Sequence, residues 1–133
     1  MKTILKIIGI IILILIVTSI IVLKILSSRP AVPNDYQQKT ETGGSIEAKY
    51  IANGPHEVSM HEDVTLLDFG KFSVYYPKEL ESSRKKYPVI VICNGSGTPL
   101  SKYPAIAKHY ASWGFIVVGT EWDAVEWNGM CSK

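Results

Sequence analysis

The 17 residues from Ile7 to Leu23 contain no charge and no proline, and they constrain this chain more than any other feature. Ile10 to Val17 form an unbroken aliphatic centre. With Lys24, Ile25 and Leu26 the segment reaches about 20 positions, which at roughly 1.5 Å per residue crosses a hydrocarbon core of about 30 Å. Lys24 has a stem long enough to carry its ammonium out to the interface. A secretory signal usually has a shorter apolar core, about 7–15 residues, with small residues before the cut. Here Leu26 stands before Ser27 and Ser28, no Ala-x-Ala pattern follows, and no Cys stands just beyond to carry a lipid. The segment reads as a retained transmembrane anchor over residues 7–26, ahead of a cleaved signal or a buried core helix. Residues 1–6 are then the cytoplasmic N-terminus, on the strength of Lys2 and Lys6. The expected arrangement is a single-pass membrane protein with its bulk extracytoplasmic, although Lys24 and Arg29 weigh the other way.

Charge follows the same division. Four of the 14 basic residues, Lys2, Lys6, Lys24 and Arg29, precede residue 30, where there is no acid. The rest of the chain has more acids than bases, so its excess is slightly negative. That removes the electrostatic footprint of a nucleic-acid binder. The bilayer, through residues 7–26, is the partner that the sequence implies. The two cysteines, Cys93 and Cys131, do not make a disulfide framework. Cys93 ends an apolar run and is expected to be a buried free thiol. No metal site is expected, since His56, His61 and His109 stand at no ligand spacing with the cysteines. No cofactor is expected either.

Residues 27–45 read as a linker, with Pro30, Pro33, Asn34, Asp35, Gly43 and Gly44 and only Val32, Tyr36 and Ile46 able to pack nearby. It is expected to hold the rest of the chain some distance off the bilayer. Ile46, Ala48, Tyr50 and Ala52 alternate, a short strand signal, and Asn53-Gly54-Pro55 ends it as a turn. His56, Glu57, His61, Glu62 and Asp63 read as a solvated loop rather than a metal cluster. Val64 to Tyr76 reads as extended chain with a turn or bulge at Gly70, stopped by Pro77, and Glu79 to Lys86 as a polar connection.

Residues 88–119 concentrate the information. Pro88 to Cys93 is a continuous β-branched run, the mark of a strand buried on both faces, as in a parallel sheet covered by helices. Asn94-Gly95-Ser96-Gly97-Thr98-Pro99 makes a tight glycine loop. Ser101 is a possible helix cap and Pro104 suits a first helical turn. Tyr103, Ile106, Ala107, Tyr110 and Trp113 recur at helical steps, and Gly114 is placed for a left-handed C-terminal residue. Phe115 to Val118 is a second apolar strand, ending at Gly119-Thr120-Glu121. Strand, glycine loop, helix and strand make a parallel βαβ crossover, with the loop at the strand end where open sheets bind ligands. The loop has neither the Gly-Lys-Ser/Thr of a phosphate-binding loop nor a full Gly-x-Gly-x-x-Gly.

From about Phe69 to Glu121 the chain resembles the α/β-hydrolase family, in the branch of chlorophyllases, dienelactone hydrolases and cutinase-like polyester hydrolases. The resemblance is carried by Tyr87-Pro-Val-Ile-Val-Ile-Cys-Asn-Gly-Ser-Gly and by Ile106-Ala-Lys-His-Tyr-Ala-Ser-Trp-Gly-Phe-Ile-Val-Val. In that family the strand ends in His-Gly or Pro-Gly and the next residue gives a backbone N–H to the oxyanion hole. The resemblance implies Ser96 as that donor, with Asn94, Gly95 and Gly97 supporting the loop, Asn94 standing where His or Pro is usual. It implies hydrolysis of a carboxylic ester by a Ser nucleophile, a His base and an acid.

The family nucleophile lies on a Gly-x-Ser-x-Gly elbow, and these 133 residues contain none. No catalytic residue is therefore assigned, and His109, in mid-helix, is expected on the helix surface. Residues 46–133 are expected to be the N-terminal part of the hydrolase-like domain, cut short before the elbow and inactive on a small ester unless completed. One soluble helix covers one face of a sheet, so the other face and one edge are expected to stay open. The acids and aromatics of Glu121 to Trp127 line a cleft or form a loop without packing partners. A non-catalytic anchored interaction module, acting through Trp122, Trp127 and Met130, is the competing expectation.

Overall fold

The protein is described from a computed structural model covering residues 2–65, 70–93 and 98–121. Helix α1 spans Lys2–Ser27. Its stretch Lys6–Ser27 is long and apolar enough to cross a membrane, and none of it is buried against the rest of the chain. The two polar residues inside the apolar run satisfy themselves: Thr18 donates to the Ile14 carbonyl at 2.9 Å and Ser19 to that of Leu15 at 2.8 Å.

Beyond α1 the chain builds a small mixed α/β unit. Strands β1 (Val58–Thr65) and β2 (Lys71–Pro77) form an antiparallel hairpin, with a register shift between His61 and Val64. Gly70 precedes β2 at φ +83°, a conformation that suits a residue without a Cβ. Strand β3 (Val89–Ile92) and strand β4 (Ile116–Thr120) are parallel, with Val89 opposite Ile116 and Ile92 opposite Gly119. The order across the sheet is β1-β2-β4-β3, and β2 meets β4 antiparallel. The crossover between β3 and β4 is a 3-10 turn at Leu100–Lys102 followed by helix α4 (Pro104–Ser112). Gly114 ends α4 at φ +91°, as its position in the sequence predicts.

The core lies between α4 and one face of the sheet, where Tyr75, Leu100, Ala107, Ala111 and Val117 are buried together. The buried stripe of α4 runs through Ala107, Ala111 and Ser112, while Tyr110 is exposed. That corrects the expected apolar face. The small residues let the helix approach the sheet closely, and a Tyr at that contact would hold it away. On the other side Val89 is 59% and Val91 68% exposed, so β3 is not buried on both faces as its β-branched run suggests; with a single covering helix, one side of it stays open.

Several further expectations are corrected. Residues Ser45–Ile51 form helix α3 rather than a strand. Every one of Ser45 to Tyr50 is exposed, so the alternation of Ile46, Ala48 and Tyr50 serves no sheet, and Glu, Ala and Lys are good helix formers. Val58 to Asp63 lie in strand β1 rather than in a loop. An edge strand needs only backbone pairing on one side, so it tolerates outward charges that hide its pattern. Ser101 does not cap α4; Tyr103 occupies that position with no side-chain cap. Cys93 is an exposed free thiol.

The linker is also not a bare tether. It contains one helical turn, α2 (Tyr36–Lys39), from which Gln37 reaches the Asn53 carboxamide at 2.8 Å and His109 Nδ1 at 2.9 Å. His109 is half-buried beneath it, not a free surface group. Burial holds its imidazole below the ordinary value, partly opposed by its bond to the Tyr50 backbone. Near the start of the linker, Lys102 donates to the Ser27 carbonyl and the Ala31 amide donates to the Lys102 carbonyl at 2.7 Å. These bonds join the crossover turn to the first residues after α1.

Candidate functional site

The candidate site is the end of the parallel pair where β3 and β4 finish. Asn94, Gly95, Ser96 and Gly97 lie outside the described residues, and so do Trp122 to Trp127, Met130 and Cys131. Both ends of the glycine loop are described. It leaves β3 at the exposed Cys93 and returns through Thr98 and Pro99 to Leu100, which is fully buried.

Two contacts hold the returning end. The first is steric. The Leu100 side chain lies over Gly119, so close that a Cβ there would come within 2.9 Å of Leu100 Cδ2. The second is polar. The Ser101 amide donates to the Glu121 carboxylate, at 3.0 and 3.3 Å to its two oxygens, while the Glu121 amide donates to the Lys71 carbonyl at 2.9 Å. Glu121 thus ties the start of the crossover turn to the end of β4 and to the start of β2. A charged acceptor makes such a bond stronger than a neutral one.

Below this end lies Tyr75, buried on β2 opposite Val117. Its phenol is held above its ordinary value, mainly by burial and further by the carboxylates of Glu121 and Glu62.

A second polar cluster stands away from the strand ends. His56 Nδ1 meets Glu79 at 2.8 Å, Tyr87 donates to the same carboxylate oxygen at 3.2 Å, and the two rings stand edge to face. The bond from His56, then that from Tyr87, holds the Glu79 carboxyl below its usual range. The other ring nitrogen of His56 faces Gly114, 3.4 Å from where a Cβ would stand. This pair resembles the base and acid of a hydrolytic triad in composition, but it faces backbone rather than a hydroxyl, and it pins the turn before β1 to the connection after β2. Among the described residues no three of His, Cys, Asp and Glu converge as metal ligands.

Sequence reading missed Glu121 as a brace and Gly119 as the seat for Leu100. A glycine inside an apolar strand was the available signal for the second, since it often marks a close approach. Nothing local signals the first, because Ser101 and Glu121 meet only once the crossover is formed. Neither the protein-family models nor the curated proteins contain a match to this chain.

Proposed function

We propose that this is a membrane-anchored α/β-hydrolase-like protein, held with its bulk extracytoplasmic, whose family chemistry is hydrolysis of a carboxylic ester. The observation that carries the reading is the held return of the crossover at Leu100 and Ser101, between β3 and α4. In α/β-hydrolases one oxyanion donor is a backbone N–H of the loop after the third strand, and here that loop runs from Cys93 to Leu100 on the third strand of the unit. Its returning end is fixed by Leu100 against Gly119 and by Ser101 on Glu121. An oxyanion hole needs its donors in place before the charge develops, and a fixed return point supports that. By this reading Ser96 gives the N–H, Asn94, Gly95 and Gly97 let the ester approach, and no residue of the chain is the nucleophile.

The test uses the full chain and the reading frame beyond codon 133. The expected result is no turnover of p-nitrophenyl esters by the 133 residues alone, and a Gly-x-Ser-x-Gly codon set within roughly 30–60 codons downstream, room for one helix and one strand. A chain extended through that elbow is expected to label with a fluorophosphonate, about 100-fold slower or worse when Ser96→Pro removes the amide proton. Equal labelling of the Ser96→Pro chain, or an esterase rate in the 133-residue chain that Ser96→Ala abolishes, overturns the assignment. The competing reading, a non-catalytic anchored interaction module, draws on the open side of β3 at Val89 and Val91.

A further inference from the structure

We infer that the exit end of α1 forms a docking surface for the phosphate of an anionic phospholipid, assembled from Lys24, Arg29 and Lys102. The inference rests on α1 being a membrane span. Lys24 lies in the last turn of α1 and Arg29 two residues past its end. Lys102 arrives from 75 residues further along the chain, its ammonium donating to the Ser27 carbonyl and lying 3.4 Å from that of Arg29. The Ala31 amide returns the contact to the Lys102 carbonyl at 2.7 Å, so backbone as well as side chain holds this lysine at the helix end.

The carbonyls of a last helical turn have no partner within the helix and carry the negative end of its dipole, so a cation is favoured there. They are neutral acceptors, however, and leave the charge of Lys102 uncancelled. None of the ion pairs Lys39–Asp35, His56–Glu79 and Lys78–Glu57 among the described residues involves these three cations. Lys24 and Arg29 are exposed and Lys102 is half-exposed. Three cations with no ion pair among the described residues thus stand where a spanning helix meets the headgroups. A zwitterionic lipid brings its own cation to that level; an anionic phosphodiester brings net charge, and it complements the cluster.

The experiment uses the full chain in vesicles of phosphatidylcholine with a minority of phosphatidylglycerol, extracted in mild detergent, with the lipids that stay bound weighed by native mass spectrometry. The expected result is enrichment of phosphatidylglycerol over its bulk share, reduced about fivefold by Lys102→Gln, a change equivalent to roughly 1 kcal/mol for one cation at an anionic surface. Lys102→Arg is expected to restore the enrichment, and Lys108→Gln, on the exposed side of α4, to leave it unchanged. No enrichment, or the same enrichment in Lys102→Gln, overturns the headgroup site. Flotation with vesicles of phosphatidylcholine alone separates the two levels: a chain that floats without selecting phosphatidylglycerol keeps the span and loses the site, and a chain that does not float loses both.

Discussion

Leu100 occupies the space in which a side chain on Gly119 would stand: a Cβ there would lie 2.9 Å from Leu100 Cδ2 and 3.0 Å from its Cβ. The pair closes the crossover onto the sheet at the candidate site. Gly119→Ala is expected to lower stability by about 1–3 kcal/mol through overpacking. Leu100→Ala is expected to cost about 2–5 kcal/mol by leaving a cavity. The two together are expected to cost less than their sum, because the shorter side chain makes room for the new methyl. Urea unfolding of the full chain in detergent measures all three, and strict additivity would show that the residues do not share this space.

Ser112 is expected to be the most sensitive polar residue of α4. It is 3% exposed, accepts the Gly54 amide at 2.8 Å and donates to the His109 carbonyl at 2.6 Å. Ser112→Ala leaves the Gly54 N–H without that acceptor, for an expected loss of about 1–3 kcal/mol. Gly54→Ala is expected to cost more, since its Cβ would fall 2.2 Å from the Ser112 carbonyl oxygen and must displace backbone. Midpoints from the same unfolding series rank the two, and a Gly54→Ala chain as stable as the parent contradicts the close approach.

Acid is expected to loosen the linker before it unfolds the sheet. Burial holds His109 below its ordinary value of 6.5, so the unfolded imidazole takes up a proton where the folded one does not. Its contribution is full above that value and declines as pH falls from there toward the folded value. Protonation also turns Nδ1 from an acceptor for Gln37 into a donor. Amide protection factors of Tyr36–Lys39 are expected to drop between about pH 7.5 and pH 5.5, and the drop to vanish in His109→Gln. Glu79, whose carboxyl is held below its ordinary value of 4.5, keeps its contribution until the pH falls further, to below that value. A linker equally protected at both pH values would show that His109 does not control it.

The open side of β3 is expected to drive self-association. Val91→Lys places a charge on a side chain that is 68% exposed and removes part of the apolar patch. Folded stability is expected to change by no more than about 0.5 kcal/mol. Light scattering of the detergent-solubilised chain is expected to show fewer higher oligomers than the parent. Unchanged oligomers, or a large loss of stability, would mean that this side is already covered.

The readable parts of this protein were those with a local cause. A long uncharged run makes an apolar helix wherever it is placed, and α1 spans Lys2–Ser27. β-branched runs separated by a glycine loop, a helical stripe and Gly114 make a parallel crossover, and β3, α4 and β4 form one. Four alternating residues in Ile46 to Ala52 were too few to tell strand from helix when neither face is buried. Strand β1 was hidden because its ladder, not its side chains, places it beside β2.

Sequence alone determined that this chain has one apolar segment of membrane length and one βαβ crossover, because the periodicity and composition of contiguous residues settle both. Tertiary structure alone decided that Leu100 seats on Gly119, that Glu121 holds the Ser101 amide, and that Lys102 reaches the end of α1. Each of those contacts joins residues far apart along the chain. They depend on the rotation of α4 over the sheet and on where the crossover turn lands, and packing of small residues such as Ala107 and Ala111 sets that geometry.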